Sequence, residues 1–495
     1  MRSWKSACAA ALLIAGACAV AAPARETFAS TLVVQDSLDS SPHGLSGTLA
    51  LAMPGDVVTF SPAITTIRLG PSPVAVGASI TIQGPGSGLL TILAEATPRH
   101  FVVAAGSSVA IVGLTLASGG GIDNSGDLLL RDVSFRNCFS EQGGALQNQG
   151  SLSLAECRIV DCAAREGGGI YSSGTVDMRQ SEILECIGQR GGALCLAHGS
   201  RLDATGVTLA LNGNALGFAI YGDSADVRLV NCTISDNSGE NVAVLLTGGS
   251  LVMINSTVVY NYTSGQISGS AGVGLLDVAA SVHNSYVAGN YAAHWGSYDG
   301  LGDCCVDSNF NLTGDSGYGP PPVLKLQPLG YYGGFGRTRP PLADSPVIDQ
   351  GASSGYAFDE RLYLRPYDDP GVPNIPGGDG SDIGAVEFGA SSGPVSVTPS
   401  AEGGTARLTG IVPNPAQAWA RVGFSLARPG SARIDVYAVD GRRVRGLLDA
   451  WRPAGAGAIT WDGRDDRGIA QPAGVYFVRL WFNGEVSRRR IILSP

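Results

Sequence analysis

The sequence predicts an all-β protein in which a parallel β-helix precedes a small antiparallel β-sandwich. Three observations support this prediction: a repeat with a period in the low twenties, alternation of apolar and polar residues within each repeat, and a Ser/Gly/Pro-rich segment after residue 388. A fixed period of this length is typical of a solenoid, in which one small unit stacks on its own copies. Alternation with a period of two is typical of strands that bury one face.

Residues 120–290 carry three columns of residues in register. Glycine pairs recur at nearly equal intervals, beginning at Gly120, Gly143, Gly168 and Gly191, and precede Ile122, Ala145, Ile170 and Ala193. A second column comprises Cys138, Cys162, Cys186, Asn212, Asn237, Asn261 and Asn290. A third column precedes the second at a constant offset and comprises Val133, Cys157, Ser181, Val207, Cys232, Ser256 and Ser285. Because parallel strands lie ~4.8 Å apart, we expect equivalent side chains of successive turns to stack.

The same columns predict what fills the coil. Besides the residues after the glycine pairs, the expected inward-facing side chains are Leu152, Leu154, Val176, Met178, Phe135, Ile159, Ile183, Leu209, Ile234, Val258 and Val287. The asparagine column predicts a turn ladder, in which each amide donates to one neighbouring turn and accepts from the other. Cysteine is a small, weakly polar substitute in the three earlier turns.

Residues 1–21 have the pattern of an export signal. Arg2 and Lys5 precede an apolar run over residues 7–20, and Ala19-Val20-Ala21 has the small-x-small form of a cleavage site. A lipoprotein signal ending at Cys18 is the alternative, although the residue three before this cysteine is Ala rather than Leu. No later stretch is long and apolar enough for a membrane helix. The expected location is therefore secreted or at the outer cell surface.

Residues 27–119 are predicted to form an N-terminal cap and the first turns. Leu45 to Met53 is expected to be a short amphipathic helix over the first turn, because the open strand edges of a solenoid need a cover. Short apolar runs at 57–60, 79–82, 101–103 and 109–111, each ended by Gly or Pro, predict the first strands.

The charge is divided unevenly along the chain. Residues 405–495 hold 14 Arg and 7 Asp or Glu, a balance of +7, so the remainder of the chain carries −10−7 = −17. An acidic body argues against nucleic acid as a partner. We expect a monomer.

Eight cysteines follow the export signal, and in an exported chain this number suggests disulfides. Cysteines on neighbouring turns of the second column are within disulfide reach, whereas Cys157 and Cys232 are three turns apart and too distant. Cys304-Cys305 has His294 as its one obvious additional metal ligand, which favours a disulfide or free thiols over zinc.

Several short motifs along residues 30–388 carry a family resemblance. They are Pro54-Gly55-Asp56, Val58-Thr59-Phe60, Ile80 to Gly86, Val112 to Leu116, Asn231 to Asn237, Asn255 to Val258, Gln327-Pro328-Leu329, Gly333-Gly334, Ser345 to Gly351, Arg361, Arg365-Pro366 and Asp382 to Glu387. Taken together, they resemble secreted bacterial right-handed β-helix proteins of the choice-of-anchor Q type, in the pectin-lyase-like superfamily. The repeats are also similar to those of polymorphic outer-membrane proteins. The resemblance implies a right-handed coil, with residues 291–388 as its last turns and an irregular C-terminal cap.

A second resemblance lies beyond the Ser/Gly/Pro linker of residues 389–404. Residues 405–495 contain alternating runs at 420–424, 432–437, 458–461 and 475–480, which predict a small antiparallel sandwich. Further motifs are Pro413-Asn414-Pro415, Asp440-Gly441-Arg442, Trp461 to Asp465, Pro472 to Tyr476 and Arg488 to Leu493. This order is similar to FlgD-like immunoglobulin-type domains that serve as C-terminal sorting domains of the type IX secretion system. The resemblance implies that the secretion machinery is a partner of residues 405–495.

The sequence assigns no catalytic, cofactor-binding or metal-binding residue. Polysaccharide-cleaving enzymes also use parallel β-helices, but the clustered aspartates, histidine and Arg-x-Lys of a polygalacturonase-like site are absent as a set. Asp123, Asp161, Glu185 and Asp236 are scattered along the repeats, and we interpret them as turn residues on a solvated face.

The weaker candidates each have a structural interpretation. Asp368, Asp369, Asp379 and Asp382 lie in a Gly/Pro-rich segment, where a calcium site is the alternative to turn-forming carboxylates, which we favour. We assign no other cofactor.

The remaining candidates are single aromatic or imidazole groups. His198 and His283 lack a partner at metal or triad spacing. Tyr171 and Tyr221 occupy related outward positions two turns apart, where a sugar-binding platform is the alternative to packing under a loop. Tyr331-Tyr332 is expected to anchor the cap.

These inferences favour an exported, non-catalytic surface or secreted β-helix protein that acts in adhesion or in binding of polysaccharides or other surfaces. A diverged carbohydrate-active enzyme, either a polysaccharide lyase or a glycoside hydrolase, is the alternative. A structural envelope component is a third class that sequence does not separate from an adhesin.

Overall fold

The computed structural model describes two stretches of the protein. The first is residues 29–390, with gaps at 96–97, 214–217, 241, 265–271, 293–305, 310–311 and 314–323. The second is residues 406–493, with gaps at 413–415, 417–419, 427–429, 439–441, 453–454, 466–468, 473 and 483–484. The predicted signal peptide 1–21, most of the linker, His294 and Cys304-Cys305 lie outside the described residues.

The described residues are all-β apart from one short helix. The leading turns comprise β1 (Thr31–Val34), α1 (Leu45–Ala50), β2 (Val57–Phe60), β3 (Thr66–Arg68), β4 (Val74–Val76), β5 (Thr81–Gln83), β6 (Thr91–Leu93), β7 (Phe101–Val103) and β8 (Ser108–Ala117). Leu45 and Leu49 of the predicted helix are buried in the core of the coil. The helix ends at Ala50, short of the predicted Met53.

The regular turns continue this parallel arrangement. They comprise β9 (Ile122–Asn124), β10 (Asp127–Arg136), β11 (Phe139–Gln142), β12 (Leu146–Asn148), β13 (Ser151–Ala155), β14 (Arg158–Val160), β15 (Ala163–Glu166), β16 (Ile170–Ser172), β17 (Thr175–Leu184), β18 (Ile187–Arg190), β19 (Leu194–Leu196), β20 (Arg201–Ala210), β21 (Ile220–Val230), β22 (Thr233–Ser235), β23 (Ser238–Gly239), β24 (Val244–Ile254), β25 (Thr257–Val259), β26 (Tyr262–Thr263), β27 (Val273–Leu276), β28 (Ala279–His283), β29 (Tyr286–Ala288), β30 (Tyr291–Ala292), β31 (Val306–Asn309) and β32 (Leu312–Thr313). Each strand pairs in parallel with its equivalent one turn away; for example, β17 pairs with β20 and β19 pairs with β21.

Two bends in each turn adopt the left-handed backbone conformation. One series comprises Asp132, Glu156, Gln180, Gly206, Asn231, Asn255 and Asn284. The other comprises Asn137, Asp161, Glu185, Leu211, Asp236, Tyr260 and Gly289. Polar residues dominate both series, since Asn and Asp tolerate positive φ better than most side chains.

The glycine turns fix the length of the repeat. Gly143, Gly167 and Gly191 have φ values of 59°, 65° and 65°, and the two intervals between them are equal. A Cβ atom at these positions would lie 1.9–2.1 Å from a carbonyl oxygen in the same turn, so glycine is required.

The predicted inward column after the glycines is wrong by one residue in two turns. The structure pairs Ile122 with Leu146, Ile170 and Leu194, whereas the sequence analysis aligned Ile122 and Ile170 with Ala145 and Ala193. Ala145 and Ala193 are buried, but they precede the strand. The three consecutive glycines at 167–169 contain two glycine pairs. The structure aligns the first pair, Gly167-Gly168, with the pairs that begin at Gly143 and Gly191.

The predicted asparagine ladder is confirmed. The side-chain amide of Asn212 donates to Asn237 Oδ1 at 3.0 Å, Asn237 donates to Asn261 at 2.8 Å, and Asn261 donates to Asn290 at 2.7 Å. Each Oδ1 also accepts the backbone N–H of the preceding ladder residue, and each amide donates to a carbonyl one turn back, such as Leu209 O for Asn237. Every polar atom of these buried amides is therefore satisfied by a neighbouring turn.

A shorter ladder occupies another corner of the coil. Asn124 donates to Asn148 Oδ1 at 2.7 Å, and Asn148 donates to Ser172 Oγ at 2.9 Å. The sequence analysis did not include this column. Its signal is the equal spacing of these three polar residues, each preceding a Gly- or Ser-containing turn.

The six cysteines within the described residues are buried and free, rather than joined in the predicted disulfides. Cys138, Cys162 and Cys186 stack in the second column, as predicted. Burial raises the pKa of Cys157 and of Cys232 to about 12, so both remain protonated thiols at neutral pH.

Residues 324–390, which we call the strap, lie against the side of the coil. Val347 and Ile383 pack on Val259, Tyr286 and neighbouring side chains in a second apolar cluster. Hydrogen bonds between the strap and the coil extend over several turns: Arg158 to Phe335 O, Thr208 to Arg337 O, Asn231 to Phe358 O, Asn255 to Ser353 O and Asn284 to Asp382 O. The irregular segment predicted as an end cap therefore covers one flank of the coil.

The predicted antiparallel sandwich is confirmed beyond residue 405. Its strands are β33 (Ala406–Val412), β34 (Ala420–Leu426), β35 (Gly430–Ala438), β36 (Arg443–Arg452), β37 (Gly455–Trp461), β38 (Gly474–Phe482) and β39 (Glu485–Leu493). Three form one sheet in the order β33-β34-β37, and four form a second in the order β36-β35-β38-β39. Trp461 lies in the core between them, where its indole donates to Arg464 O at 2.9 Å and meets the Tyr476 ring edge-on.

Replacing Asn237 with Leu should destabilise the coil by about 1–3 kcal/mol, because the backbone N–H and the side-chain amide of Asn212 both lose their acceptor in a buried site. Urea unfolding of the purified protein measures this loss. The matched control is Gln189→Leu, at an exposed position. Equal unfolding free energies for the two variants would contradict a stabilising ladder.

Candidate functional site

Side chains from two neighbouring outward-facing rows converge on one edge of the coil. One row is Gln142, Glu166 and Arg190, which are in register on β11, β15 and β18. The other row is Asp123, Gln147, Tyr171, Cys195 and Tyr221, in register from β9 to β21. Residues on either side of the second row are buried inside the coil, so the row itself faces outward. We call these residues, together with Arg99, the polar-aromatic corner.

The first row forms a ladder of polar contacts across three turns. Gln142 Nε2 donates to Glu166 Oε2 at 2.8 Å, and Arg190 Nη1 lies 3.6 Å from Glu166 Oε1. Gln147 Nε2 donates to Gln142 Oε1 at 3.4 Å and so links the two rows. Gln142, Gln147 and Glu166 are partly exposed, and Arg190 is exposed.

Arg99 lies beneath the two rows of the polar-aromatic corner and bonds to residues of both rows. Its buried guanidinium donates to Gln142 O at 2.7 Å, to Gly143 O at 2.8 Å and to Gln147 Oε1 at 2.8 Å, and also to Gly120 O. Arg99 Nε lies 2.6 Å from Asp123 Oδ1. The arginine therefore fixes the glycine turn that joins the two rows, and its charge is balanced by one carboxylate.

Two tyrosines flank a buried thiol in the second row. Tyr171 and Tyr221 are partly exposed, whereas Cys195 between them is 3% exposed. Arg190 lies 5.7 Å from the centroid of the Tyr221 ring, which also packs at 5.5 Å against Phe218. Burial raises the pKa of Tyr171 and raises that of Cys195 to about 12. The phenol remains a hydrogen-bond donor at neutral pH, and the thiol is not a nucleophile.

The corner combines charged, amide and aromatic side chains. The two carboxylates of the corner are each held by an arginine, and amides, phenols and guanidinium groups supply hydrogen bonds and flat stacking surfaces. Within the described residues, no group of three His, Cys, Asp or Glu side chains is placed to hold a metal ion.

The four acidic residues identified from the sequence are not brought together. Asp161 and Glu185 are exposed at the left-handed bend before the ladder. Asp236 occupies the same bend two turns later and forms a 2.8 Å ion pair with Arg339 of the strap. Asp123 alone of the four lies in the polar-aromatic corner.

The predicted histidine and tyrosine candidates have separate locations. His198 is exposed, and His283 Nε2 lies 2.8 Å from Ser281 Oγ. Tyr331 donates to Glu182 Oε1 at 3.0 Å and so anchors the strap to the coil, whereas Tyr332 donates within the strap to Pro328 O.

Three of the four aspartates considered as a calcium site accept backbone hydrogen bonds, and the fourth, Asp368, is exposed. Asp379 accepts from Ser353 N at 2.9 Å and Ser381 N at 3.1 Å, and Asp369 accepts from Gly371 N at 2.8 Å. Asp382 accepts from Asp349 N at 2.9 Å and also from Phe388 N. The bonds from Ser381 and Gly371, each two residues from its aspartate, are turn-forming bonds of the kind that the sequence analysis favoured. The bonds from Ser353, Asp349 and Phe388 join more distant parts of the strap.

A buried ionic network holds the strap together. Arg365 Nε lies 2.7 Å from Glu387 Oε1, with both side chains fully buried, and Arg361 Nη2 lies 2.7 Å from Asp359 Oδ2. Burial raises the pKa of Asp382 to about 8, with a further contribution from the charge of Glu387. Burial raises the pKa of Glu387 as well, to about 7, and the charge of Arg365 opposes that rise. The family resemblance identified most of these residues, but no local pattern indicated their pairing.

Comparisons with known proteins agree with the coil. Residues 118–311 match the family model described as "Right handed beta helix region". The predicted right-handed parallel β-helix is confirmed. The crystal structure of pectate lyase Pel9A is a similar structure, with a TM-score of 0.44, 11% sequence identity and coverage of 73% of this chain and 97% of that chain. No curated protein matches the chain. A search of the described residues finds no helix with the length and apolarity to cross a membrane.

The raised pKa values of two carboxyls in the strap predict that the protein becomes less stable as the pH rises. Burial raises the pKa of Asp349 to about 6 and that of Asp382 to about 8, both above the ordinary value of an aspartate. At these two carboxyls the folded protein therefore binds more protons than the unfolded chain between about pH 4 and pH 8, and their contribution to the unfolding free energy falls across this range. The thermal midpoint is expected to be lower at about pH 8 than at about pH 5.

The control for this measurement is Asp382→Asn, which removes one titrating group. Its midpoint should change less with pH than that of the natural protein. Midpoints that are equal, or higher at the alkaline end, would show that these carboxyls do not keep their protons in the folded state.

Proposed function

We propose that the protein is an exported, non-catalytic β-helix protein that binds glycans at the cell surface or after secretion. The observation that carries this proposal is the polar-aromatic corner. It presents two tyrosines and a ladder of Gln, Glu and Arg side chains in register over successive turns. Flat rings and amide or guanidinium groups are the partners that sugar rings and their hydroxyls require.

The distribution of carboxylates supports binding over catalysis. Glu166 and Asp123 in the corner pair with arginines, which hold their charges in place. Where the strap meets the coil, Glu182 of the coil pairs with Arg158 at 2.8 Å, and Glu360 of the strap accepts from Thr208 and Thr233. Glu182 and Glu360 are buried between strap and coil and inaccessible to a polymer.

Export is the second part of the proposal. The resemblance of residues 1–21 to a signal peptide supports passage out of the cytoplasm. The likeness of residues 405–495 to type IX sorting domains supports the secretion machinery as a partner. The antiparallel sandwich over 406–493 has the architecture that this likeness implies.

Deletion of residues 405–495 should leave the coil folded but retained in the periplasm, because the proposed sorting address is lost. Cell fractionation with an antibody against the coil measures this in a host that has a type IX system. A matched control carries Trp461→Phe, which keeps the sandwich core apolar. Normal export of the truncated chain would contradict the sorting role.

The binding role is tested with a broad glycan array and with soluble polysaccharides, scored for both retention and product release. Retention without release of reducing ends or unsaturated products is the expected result. Release of products would instead establish an enzyme, and retention of no glycan would contradict the binding role.

A further inference from the structure

We propose that the polar-aromatic corner binds a neutral, extended, β-1,4-linked polysaccharide whose chain lies parallel to the coil axis. Tyr171 and Tyr221 stack on alternate sugar rings, and Gln142, Glu166 and Arg190 bond to the hydroxyls along one edge. This inference rests on the proposed glycan-binding function and specifies the class of ligand.

The register of the tyrosines sets the spacing of the rings that they contact. Tyr171 aligns with Cys195, and Cys195 aligns with Tyr221, so the tyrosines lie two turns apart. Two strand spacings correspond to about 10 Å along the coil axis. In an extended β-1,4-linked ribbon, alternate rings present the same face and recur at a similar distance. A ligand of this shape therefore meets both tyrosines without distortion.

The residue between the tyrosines presents no protruding group to the intervening ring. Cys195 has a small side chain that is 3% exposed, whereas the phenol rings on either side are partly exposed. Beside it, Glu166 and Arg190 are one turn apart and partly accessible. The intervening ring can lie over Cys195 while its hydroxyls bond to these two side chains.

The charges of the corner select a neutral ligand. Arg99 pairs with Asp123, and Arg190 pairs with Glu166, so the two cations are balanced by two carboxylates. Recognition of a carboxylate normally uses an arginine that is free to form paired hydrogen bonds. A polyuronate would place its carboxylates near Glu166, and the resulting repulsion disfavours it.

Isothermal titration of the secreted protein with cellohexaose and with hexagalacturonate tests the inference. Cellohexaose is expected to bind more tightly than hexagalacturonate. Tyr171→Ala and Tyr221→Ala should each weaken cellohexaose binding roughly tenfold, as expected for aromatic anchors of an interface. Tyr171→Phe retains the stacking ring and should restore most of the affinity.

Two further variants complete the test. Tyr367→Ala removes an exposed tyrosine from the strap and should leave binding unchanged. Glu166→Gln removes one of the balancing charges while keeping an acceptor for Gln142, and should increase the affinity for hexagalacturonate. Circular dichroism and the thermal midpoint establish that each variant is folded.

The outcomes separate this inference from the function on which it rests. Tighter binding of hexagalacturonate, or alanine variants that bind cellohexaose as well as the natural protein does, would overturn the inference and leave glycan binding intact. Failure to bind cellohexaose or any other neutral β-1,4-linked chain, with retention of a different glycan on the array, would also overturn the inference alone. Retention of no glycan would overturn both.

Discussion

The structure depends on pairing each turn of the coil with its neighbour at a single strand spacing. Once this register is set, every position of the repeat stacks on the equivalent position of the next turn. The side chain at each position must therefore be compatible with the side chains above and below it. The ladder Asn212–Asn237–Asn261–Asn290 illustrates the constraint, since each amide bonds to the turns on both sides. A buried amide is stable only when such partners are present, because an unsatisfied polar group in an apolar interior is costly. The coil is thus specified by relations between turns as much as by the sequence of any one turn.

The same stacking of turns aligns polar side chains in rows on the outside of the coil. Gln142, Glu166 and Arg190 are each separated by one full repeat of the sequence, yet they form one contiguous row because their strands pair in register. Arg99 comes from an earlier, irregular turn and joins this row to the next by bonding to the backbone of the glycine turn. The middle strand of this row, β15, pairs with β11 on one side and β18 on the other, which limits the movement of Glu166.

Within the coil, features that repeat could be predicted from the sequence, whereas side-chain contacts that do not repeat could not. The strands, the asparagine column and the related outward positions of Tyr171 and Tyr221 follow from a period that is visible in one dimension. The misplaced Ala145 and Ala193 show the limit of this approach, since three adjacent glycines permit two registers and packing selects one.

Side-chain contacts that occur only once in the fold could not be predicted from the period of the repeat. Arg99 meets Gln142 and Gln147 across 43 and 48 residues, and Glu360 meets Thr208 across 152 residues. The strap motifs were visible as a family likeness, but no local pattern indicates that they fold back on the coil. Arg361, Arg365 and Glu387 are buried by other segments of the chain. The local sequence does not indicate which segments these are.

The strap also changes how the coil is expected to fold. A plain solenoid gains stability from nearest neighbours alone and can grow from any turn. Here Thr208 and Thr233 bond to Glu360, so the middle turns are complete only after a segment far downstream in the chain has been made. Such long-range closure slows folding, because much of the chain must be ordered before these contacts form. The contacts of the strap therefore form late in folding, and they couple the turns of the coil into one cooperative unit.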